Sequence, residues 1–167
     1  MSGSMSSVGL GEYFVSHDPM DVLIAFGLGS CLGIGMYDPV ARVGGLIHVV
    51  LPEQKAGNDS NPAKFVDSGI PLLLKKLQAE GAVESRLVIK MAGGANMLVS
   101  PGLSGTFDIG TRNIQMAHQT LKNLHLKLHT EEVGGQVGRT VRLYVADGRM
   151  TVRMMGSQER DLGAVQK

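Results

Sequence analysis

The sequence predicts a layered α/β sandwich with a mixed, largely antiparallel sheet and two main helices. Segments with the apolar pattern of short β-strands outnumber segments with helical spacing, which occurs in only two stretches. Several neighbouring strand segments are joined by turns short enough for hairpins. Short connections favour antiparallel pairing over a doubly wound parallel fold, because parallel strands need a crossover connection.

The first half of the chain has the pattern of four strands. Residues 38–44 separate the last two, and they begin with Asp-Pro and end with Gly, which is the chemistry of a turn. We therefore expect these two strands to pair as an antiparallel hairpin. The four predicted strands are 9–15, 22–26, 31–37 and 45–51.

A loop and the first helix follow the hairpin. Residues 52–62 are polar and rich in turn formers, which predicts an exposed loop. Asn61 can cap the helix, Pro62 suits its first position, and Gly81 ends it. The apolar side chains at roughly three-to-four spacing in this helix are Phe65, Ile70, Leu73, Leu74 and Leu77.

The second half predicts four strands and one more helix. Residues 100–110 have a loop composition, and residues 113–124 place apolar side chains on one helix face. Asp147-Gly148 between the last two strands is a strong hairpin signal. The predicted strands are 86–92, which runs into the Gly93-Gly94 loop, then 127–131, 140–145 and 149–154.

Length and composition predict a single domain. The chain has 167 residues, of which 43% are hydrophobic, and this suffices for one core. We expect a disordered lead over 1–7, one domain over 8–155 and a polar tail over 156–167. The sequence has no signal-peptide pattern and no apolar run of the roughly 18 residues needed to span a membrane. Its single cysteine cannot form an internal disulfide, which indicates a cytoplasmic protein.

Several functional classes are disfavoured by charge and motif. A formal charge of +1 offers no electrostatic basis for binding nucleic acid or an anionic membrane. The glycine clusters match neither the dinucleotide nor the P-loop pattern. His118, His125 and His129 lack the spacing of a zinc site, so we expect them at the surface or at helix ends. We expect no metal and no cofactor.

The only cysteine, Cys31, lies in the glycine-rich segment 27–33. A free cysteine is most often a small buried hydrophobe, so packing is the default interpretation. The neighbouring glycines favour chemistry, because they let the backbone adopt positive φ and approach another group closely. N–H groups around Gly29, Ser30 and Cys31 can then face a developing oxyanion. The glycines concerned are Gly27, Gly29 and Gly33.

His48 interrupts the apolar run in the other arm of the predicted hairpin. If the turn has an even number of residues, such as 39–42, Cys31 opposes Val50. His48 is then its diagonal neighbour, roughly 7–8 Å away between Cα atoms. An odd turn places the two side chains on opposite faces. A lone histidine is more often a core residue bonded to the backbone, but the pair with Cys31 favours acyl transfer. In that chemistry an imidazolium stabilises the thiolate and later protonates a leaving amine.

Five blocks of sequence, in order, resemble the CheD family of chemoreceptor glutamine deamidases. Together they cover roughly residues 8–155, and ordered blocks are far more specific than one short motif. The blocks are 9–13, 27–31 followed by 37–39, 45–52, 90–97 and 109–113.

The resemblance implies a cysteine hydrolase that converts selected glutamines of methyl-accepting chemoreceptors to glutamates, which creates methylation sites. Cys31 and His48 match the family's nucleophile and general base. The implied fold is an α/β/α-type sandwich similar to the catalytic domain of cytotoxic necrotizing factor toxins. The family also implies a second partner, a CheC-type phosphatase, whose binding competes with receptor deamidation.

One position departs from the family pattern. A Thr six residues before the cysteine is often the third catalytic member, and here that position is Ala25. A methyl group cannot orient His48, so the role passes to a main-chain carbonyl or to Ser30, Asn96 or Thr111. Gly93 and Gly94 are expected to shape a turn beside the site. Two alternatives stay open: a low-activity module that binds the phosphatase, and a methylesterase or amidase with another substrate.

Overall fold

The computed structural model describes residues 4–55, 60–97 and 108–163, which form two five-stranded sheets and two α-helices. Short 3-10 turns, Pro62–Lys64 and Glu84–Arg86, precede the first helix and the sixth strand. The elements in chain order are β1 (Met5–Ser7), β2 (Tyr13–Ser16), β3 (Val22–Leu28), β4 (Leu32–Asp38), β5 (Val43–Val49), α1 (Val66–Ala79), β6 (Val88–Gly93), α2 (Ile109–Asn123), β7 (Thr130–Val133), β8 (Arg139–Tyr144), β9 (Met150–Met154) and β10 (Arg160–Asp161).

Both sheets are mixed and largely antiparallel. The first has the order β1-β3-β8-β9-β10, and only the β1–β3 pair is parallel. The second has the order β2-β5-β4-β6-β7, and only β6–β7 is parallel. The predicted α/β class, with two main helices and largely antiparallel strand pairing, is confirmed, but the strands form two sheets rather than one.

The layers run from helices to second sheet to first sheet. Helices α1 and α2 pack on each other and on one face of the second sheet, where Ile47 and Leu73 share a core. The opposite face meets the first sheet in another core that includes Leu46 and Val141. Both faces of the second sheet are therefore covered, and its strands β4 and β5 are buried along their whole length. Both helices lie on the same side of the two sheets, so the α/β/α order that the resemblance implied is corrected to helices, sheet and sheet. The likeness to the necrotizing factor toxins stays a prediction.

The two ends of the chain contribute strands, which corrects two predicted boundaries. Met5–Ser7, placed in the disordered lead, pair with β3, and Arg160–Asp161, placed in the polar tail, pair with β9. These strands have three and two residues, which is too short for an apolar alternation to reveal them. Residues 1–3 and 164–167 lie outside the described residues, and the single domain over 8–155 stays a prediction.

Other elements match the predictions with shifted ends. Helix α2 begins at Ile109 rather than 113, and residues 100–107 of the predicted loop lie outside the described residues. Asn61 does cap a helical turn, because its side chain accepts a hydrogen bond from the Ala63 N–H at 3.1 Å, but that turn is 3-10 and α1 starts at Val66. In the described part of the chain, neither helix has the length and apolar character required to cross a membrane.

Candidate active site

The hairpin of β4 and β5 has the even turn on which the pairing of the two candidate residues depends. Residues 39–42 join the strands, and Gly33 pairs with His48. The register ends with Leu32 paired to Val49, and its extension by one residue sets Cys31 opposite Val50, with His48 as the diagonal neighbour of Cys31. The predicted register is therefore confirmed.

The side chain of His48 lies on the inter-sheet face of β5, two residues from Leu46 of the inter-sheet core. Its Nδ1 is 3.0 Å from the carbonyl oxygen of Val8, and since a carbonyl only accepts, Nδ1 carries the proton. The backbone N–H of His48 donates to the carbonyl of Glu12, and its carbonyl accepts from the N–H of Gly11. Residues 8–12 thus hold both the ring and the backbone of His48.

The other ring nitrogen, Nε2 of His48, is free to accept a proton. It is buried and has no hydrogen-bond partner among the described residues. Burial lowers the pKa of His48, while the hydrogen bond to Val8 and the charge of Glu12 act in the opposite direction. A neutral imidazole with an unoccupied acceptor nitrogen is the form that a general base requires.

Ala25, at the position of the expected third member, is fully buried between the sheets. Its Cβ is 3.8 Å from the place where a Cβ on Gly33 would lie, and Gly33 is the residue paired with His48. A methyl group there makes no hydrogen bond. Among the alternatives, the structure shows a main-chain carbonyl on the ring, and it belongs to Val8.

The three side chains proposed as substitutes do not bond to His48 in the described part of the structure. Asn96 donates from Nδ2 to Oγ1 of Thr111 at 2.9 Å, so these two residues bond to each other. Ser30 lies in the cysteine loop, where its carbonyl is hydrogen-bonded to a residue of α2, Asn113. These side chains border the site, and the ring of His48 is held by a backbone carbonyl instead.

The Gly93-Gly94 loop packs directly against the cysteine loop. The N–H of Gly94 donates to the carbonyl of Cys31 at 2.9 Å, and the N–H of Ala95 donates to the carbonyl of Gly29 at 2.8 Å. Gly93 has φ +117, and a Cβ there would lie 2.1 Å from the carbonyl oxygen of Cys31. Only a glycine permits this approach.

Asn113 is a site residue to which the sequence assigned no role. It is fully buried, and its Nδ2 donates to the carbonyls of Ser30 at 2.8 Å and Val50 at 2.9 Å. One amide group therefore ties the loop before Cys31 to the residue that follows β5. Its position at the end of the block 109–113 was the one signal that could have found it.

Cys31 is half-buried in the wall of an open pocket of about 360 Å³. Burial raises the pKa of the thiol, and a hydrogen bond from its own backbone N–H acts in the opposite direction. Among the described residues the N–H of Ser30 has no acceptor, and the N–H of Cys31 has only its own thiol. Both groups can therefore donate to an oxyanion. The pocket is lined by Gly29, Ser30, Cys31, Ala95, Asn96, Met97 and Ile109.

The three glycines around the cysteine have different reasons for being glycine. Only Gly27 adopts positive φ, at +60, so the expectation is wrong for Gly29 and Gly33. Those two positions permit close packing instead. A Cβ at Gly29 would lie 2.9 Å from Sδ of Met97, and one at Gly33 would lie 3.0 Å from the side chain of Val141.

The remaining histidines lie at the surface. His118 on α2 is 2.9 Å from the carboxylate of Glu131, and His125 follows the end of α2. His129 accepts a hydrogen bond from the N–H of Ile89 through Nδ1. Within residues 4–55, 60–97 and 108–163, no three metal-ligating side chains come together.

Known proteins match this chain over most of its length. A family model described as CheD chemotactic sensory transduction matches residues 50–154. A probable chemoreceptor glutamine deamidase CheD of Symbiobacterium thermophilum is 41% identical, over 95% of this chain and 97% of that protein. One from Pyrococcus abyssi is 43% identical over 90% and 93%. The chemoreceptor glutamine deamidase CheD of Thermotoga maritima is 39% identical over 92% and 94%.

A solved structure, the hypothetical protein YfiH of Bacillus licheniformis, aligns with 65% of this chain and 46% of its own length. The TM-score is 0.40 and the sequence identity is 12%.

Proposed function

The chain belongs to the CheD family of chemoreceptor glutamine deamidases, and we propose that Cys31 is the nucleophile and His48 the general base of its reaction. The activity is that of a protein-glutamine glutaminase, which hydrolyses a side-chain amide of a chemoreceptor to a carboxylate and releases ammonia. The observation that carries the assignment is the β4–β5 register. It sets the only thiol diagonal to a buried histidine whose Nε2 has no partner in the described residues.

Acylation begins with the neutral thiol and the neutral imidazole. Nε2 of His48 takes the proton as Sγ of Cys31 forms a bond to the carboxamide carbon. The N–H groups of Ser30 and Cys31 donate to the oxyanion of the tetrahedral intermediate. His48 then returns its proton to the amide nitrogen, the C–N bond breaks, and ammonia leaves a thioester on Cys31.

Deacylation uses the same base. Neutral His48 takes a proton from a water molecule as its oxygen bonds to the thioester carbon. The C–S bond breaks, the proton passes to the sulfur, and the glutamate product and the free thiol are restored. Throughout both steps the Val8 carbonyl holds Nδ1 of His48, which stabilises the imidazolium form.

We place the reaction in the cytoplasm. The mechanism needs Cys31 as a free thiol, and the side chain is half-exposed in an open pocket. A reducing compartment keeps such a thiol free.

The test is mass spectrometry of a purified cytoplasmic receptor fragment incubated with the protein. Each converted glutamine gains the small mass difference between an amide and an acid, and peptide mapping locates it. Wild-type protein is expected to produce this gain, and Cys31→Ala and His48→Ala are expected to abolish it. Wild-type protein that leaves the fragment unchanged contradicts the proposal for that receptor.

A second candidate function is favoured by Ala25 and involves a CheC-type phosphatase as partner. If the missing hydroxyl makes turnover slow, the protein serves mainly to bind and stimulate that phosphatase. Binding and stimulation would then survive Cys31→Ala unchanged, which phosphate release by the phosphatase measures. Clear receptor deamidation by the wild-type protein counts against this second function as the main one.

A further inference from the structure

A groove of about 310 Å³ lies beside the Cys31 pocket, at one end of the central strands of the first sheet. It is bounded by the start of β8, by the end of β9 and by Met97, which follows the Gly93-Gly94 loop. We call it the methionine groove, and its lining residues are Gly27, Met97, Gly138, Arg139, Thr140, Arg153, Met154, Met155 and Gly156.

The methionine groove exposes large apolar side chains. Met155 is 86% exposed and Met97 is 55% exposed. Phe26 and Val137, which are also exposed, directly adjoin the groove residues Gly27 and Gly138 in the chain. Clustered exposed apolar side chains mark interaction surfaces, and flexible methionines adapt to the apolar side chains of a protein partner.

Two arginines give the groove positive charge. Arg153 is exposed and its Nε donates to the carbonyl of Ser157. Arg139 is 7% exposed, its guanidinium donates to the carbonyls of Gly93 and Gly134, and its Nε has no partner. Neither arginine forms an ion pair in the described part of the chain. The charge of Glu132 does act on Arg139, so the exposed Arg153 carries the main positive charge of the groove. An apolar and cationic groove complements an apolar segment with an acidic side chain.

The groove is continuous with the candidate active site. Met97 lines both the Cys31 pocket and the groove. Its Cε also lies 4.0 Å from the position of a Cβ on Gly138, on the far side of the groove. A polypeptide whose glutamine reaches Cys31 therefore has the groove directly beside it.

We propose that the methionine groove binds the chemoreceptor segment that flanks the target glutamine, through apolar side chains of that segment and one acidic side chain. This inference rests on the proposed function, because it takes the chemoreceptor as substrate. It adds the surface that selects the protein: the Cys31 pocket accommodates a carboxamide, and the groove distinguishes one polypeptide from another.

The experiment compares steady-state deamidation of a purified cytoplasmic receptor fragment by groove variants and matched controls. The groove variants are Met155→Glu and Arg153→Glu. The controls are Val40→Glu and Arg42→Glu, which change an exposed apolar residue and an exposed arginine in the turn at the opposite end of β4 from Cys31. Alkylation of Cys31 by iodoacetamide, a small probe, is measured in every variant. Binding of the fragment is measured separately on the Cys31→Ala background.

We expect each groove variant to raise KM by about tenfold or more with kcat nearly unchanged, which is the signature of lost substrate binding. Alkylation of Cys31 should stay at the wild-type rate, and the controls should behave as wild type. Groove variants that keep the wild-type KM and fragment affinity overturn the inference while the proposed function stands. Wild-type protein that binds the fragment through the groove but never deamidates it overturns the proposed function instead.

Discussion

His48 and Cys31 carry opposite pKa shifts with the same origin. Burial lowers the pKa of the imidazole and raises that of the thiol, so each group favours its neutral form near neutral pH. The sequence predicted an imidazolium that stabilises a thiolate, and these directions favour a neutral resting pair instead. In the proposed reaction, the proton then moves from Sγ of Cys31 to Nε2 of His48 during attack rather than before it.

The pH dependence of Cys31 alkylation tests this resting state. We expect the iodoacetamide rate to keep rising with pH beyond the ordinary thiol pKa of about 8.5, because burial raises the pKa of Cys31. Deamidation should fall on the acid side only below the ordinary histidine pKa of about 6.5, because His48 must be neutral and its pKa is lowered. Mass spectrometry follows both reactions. An alkylation rate already constant below neutral pH would show a preformed thiolate.

The role of Ala25 is tested with a pair of variants of nearly equal shape. Ala25→Thr and Ala25→Val add similar volume to the inter-sheet core, and they differ by a hydroxyl. Because the Val8 carbonyl already accepts from Nδ1 of His48, we expect the two variants to have kcat values within about twofold of each other. A kcat measured in the receptor assay that rises in the Thr variant alone would show that the missing hydroxyl limits the reaction.

The residues of the site differ in how well the sequence could predict them. Cys31 and His48 stand out because the residue types are reactive and rare in their surroundings, and turn parity places them on one face. Val8 could not be predicted as the ring's partner, because every residue has a carbonyl. Asn113 lacked an assigned role because its two acceptors, 63 and 83 residues away along the chain, meet only in the fold.

At the scale of elements, the loop that carries Cys31, residues 29–31, is held from two sides. The loop after β6 donates two backbone hydrogen bonds to it, and α2 supplies the side chain of Asn113. The close contact at Gly93 makes the first of these attachments sensitive to a single carbon atom.

Gly93→Ala is expected to displace the loop that carries Cys31, because its Cβ would meet the Cys31 carbonyl. The matched control is Gly81→Ala, which also has positive φ, +102, but has open space around the added carbon. We expect the control to lose about 1 kcal/mol of stability and no activity. Gly93→Ala should lose more stability and about a hundredfold in kcat, since small misplacements of reacting groups are costly. Thermal unfolding and the receptor assay measure the two effects. Equal behaviour of the two variants contradicts this view.

The elements that could be predicted are those that are specified by a nearby turn sequence or by the apolar periodicity of their own residues. The β4–β5 hairpin follows from the Asp-Pro turn, and Asp147-Gly148 does connect β8 to β9 with Gly148 at φ +77. The edge strands β1 and β10 are three and two residues long, which is too short for an apolar alternation to reveal them. The start of α2 was missed because Gly110 gives its first turn the composition of a loop. In the structure this glycine lets the helix approach the Gly94 carbonyl.

At the scale of the whole molecule, an ion pair between buried Asp38 and Arg86 joins the far end of the hairpin to the 3-10 turn that precedes β6. Asp38 is fully buried, and its carboxylate accepts hydrogen bonds from Arg86 and from the N–H groups of Val40, Ala41 and Val83. Burial alone would raise the pKa of Asp38, but these hydrogen bonds together hold it well below its usual range. The end of the hairpin opposite Cys31 is therefore anchored by charge as well as by packing.

Asp38→Asn should lower the free energy of unfolding at neutral pH by about 3 kcal/mol. Because the folded pKa is below the unfolded value of about 3.9, the wild-type advantage is complete above that value and fades as pH falls below it. Denaturant unfolding at several pH values measures the difference. The control is Asp18→Asn. Asp18 precedes a proline, as Asp38 does, and accepts a hydrogen bond from the N–H of Met20, but its side chain is exposed. A difference that persists undiminished in strong acid would contradict the assignment.

The hydrogen bond between His48 and the carbonyl of Val8 has a consequence for how this site can be studied and how it can change. No amino-acid replacement deletes a peptide oxygen, so an alanine scan of residue 8 would leave this partner of the imidazole in place. For the same reason, natural amino-acid variation at residue 8 does not remove this hydrogen bond. The support of the His48 ring depends on the path of the chain. Chemical synthesis that weakens the acceptor, with an ester in place of the peptide bond after Val8, would reveal its contribution.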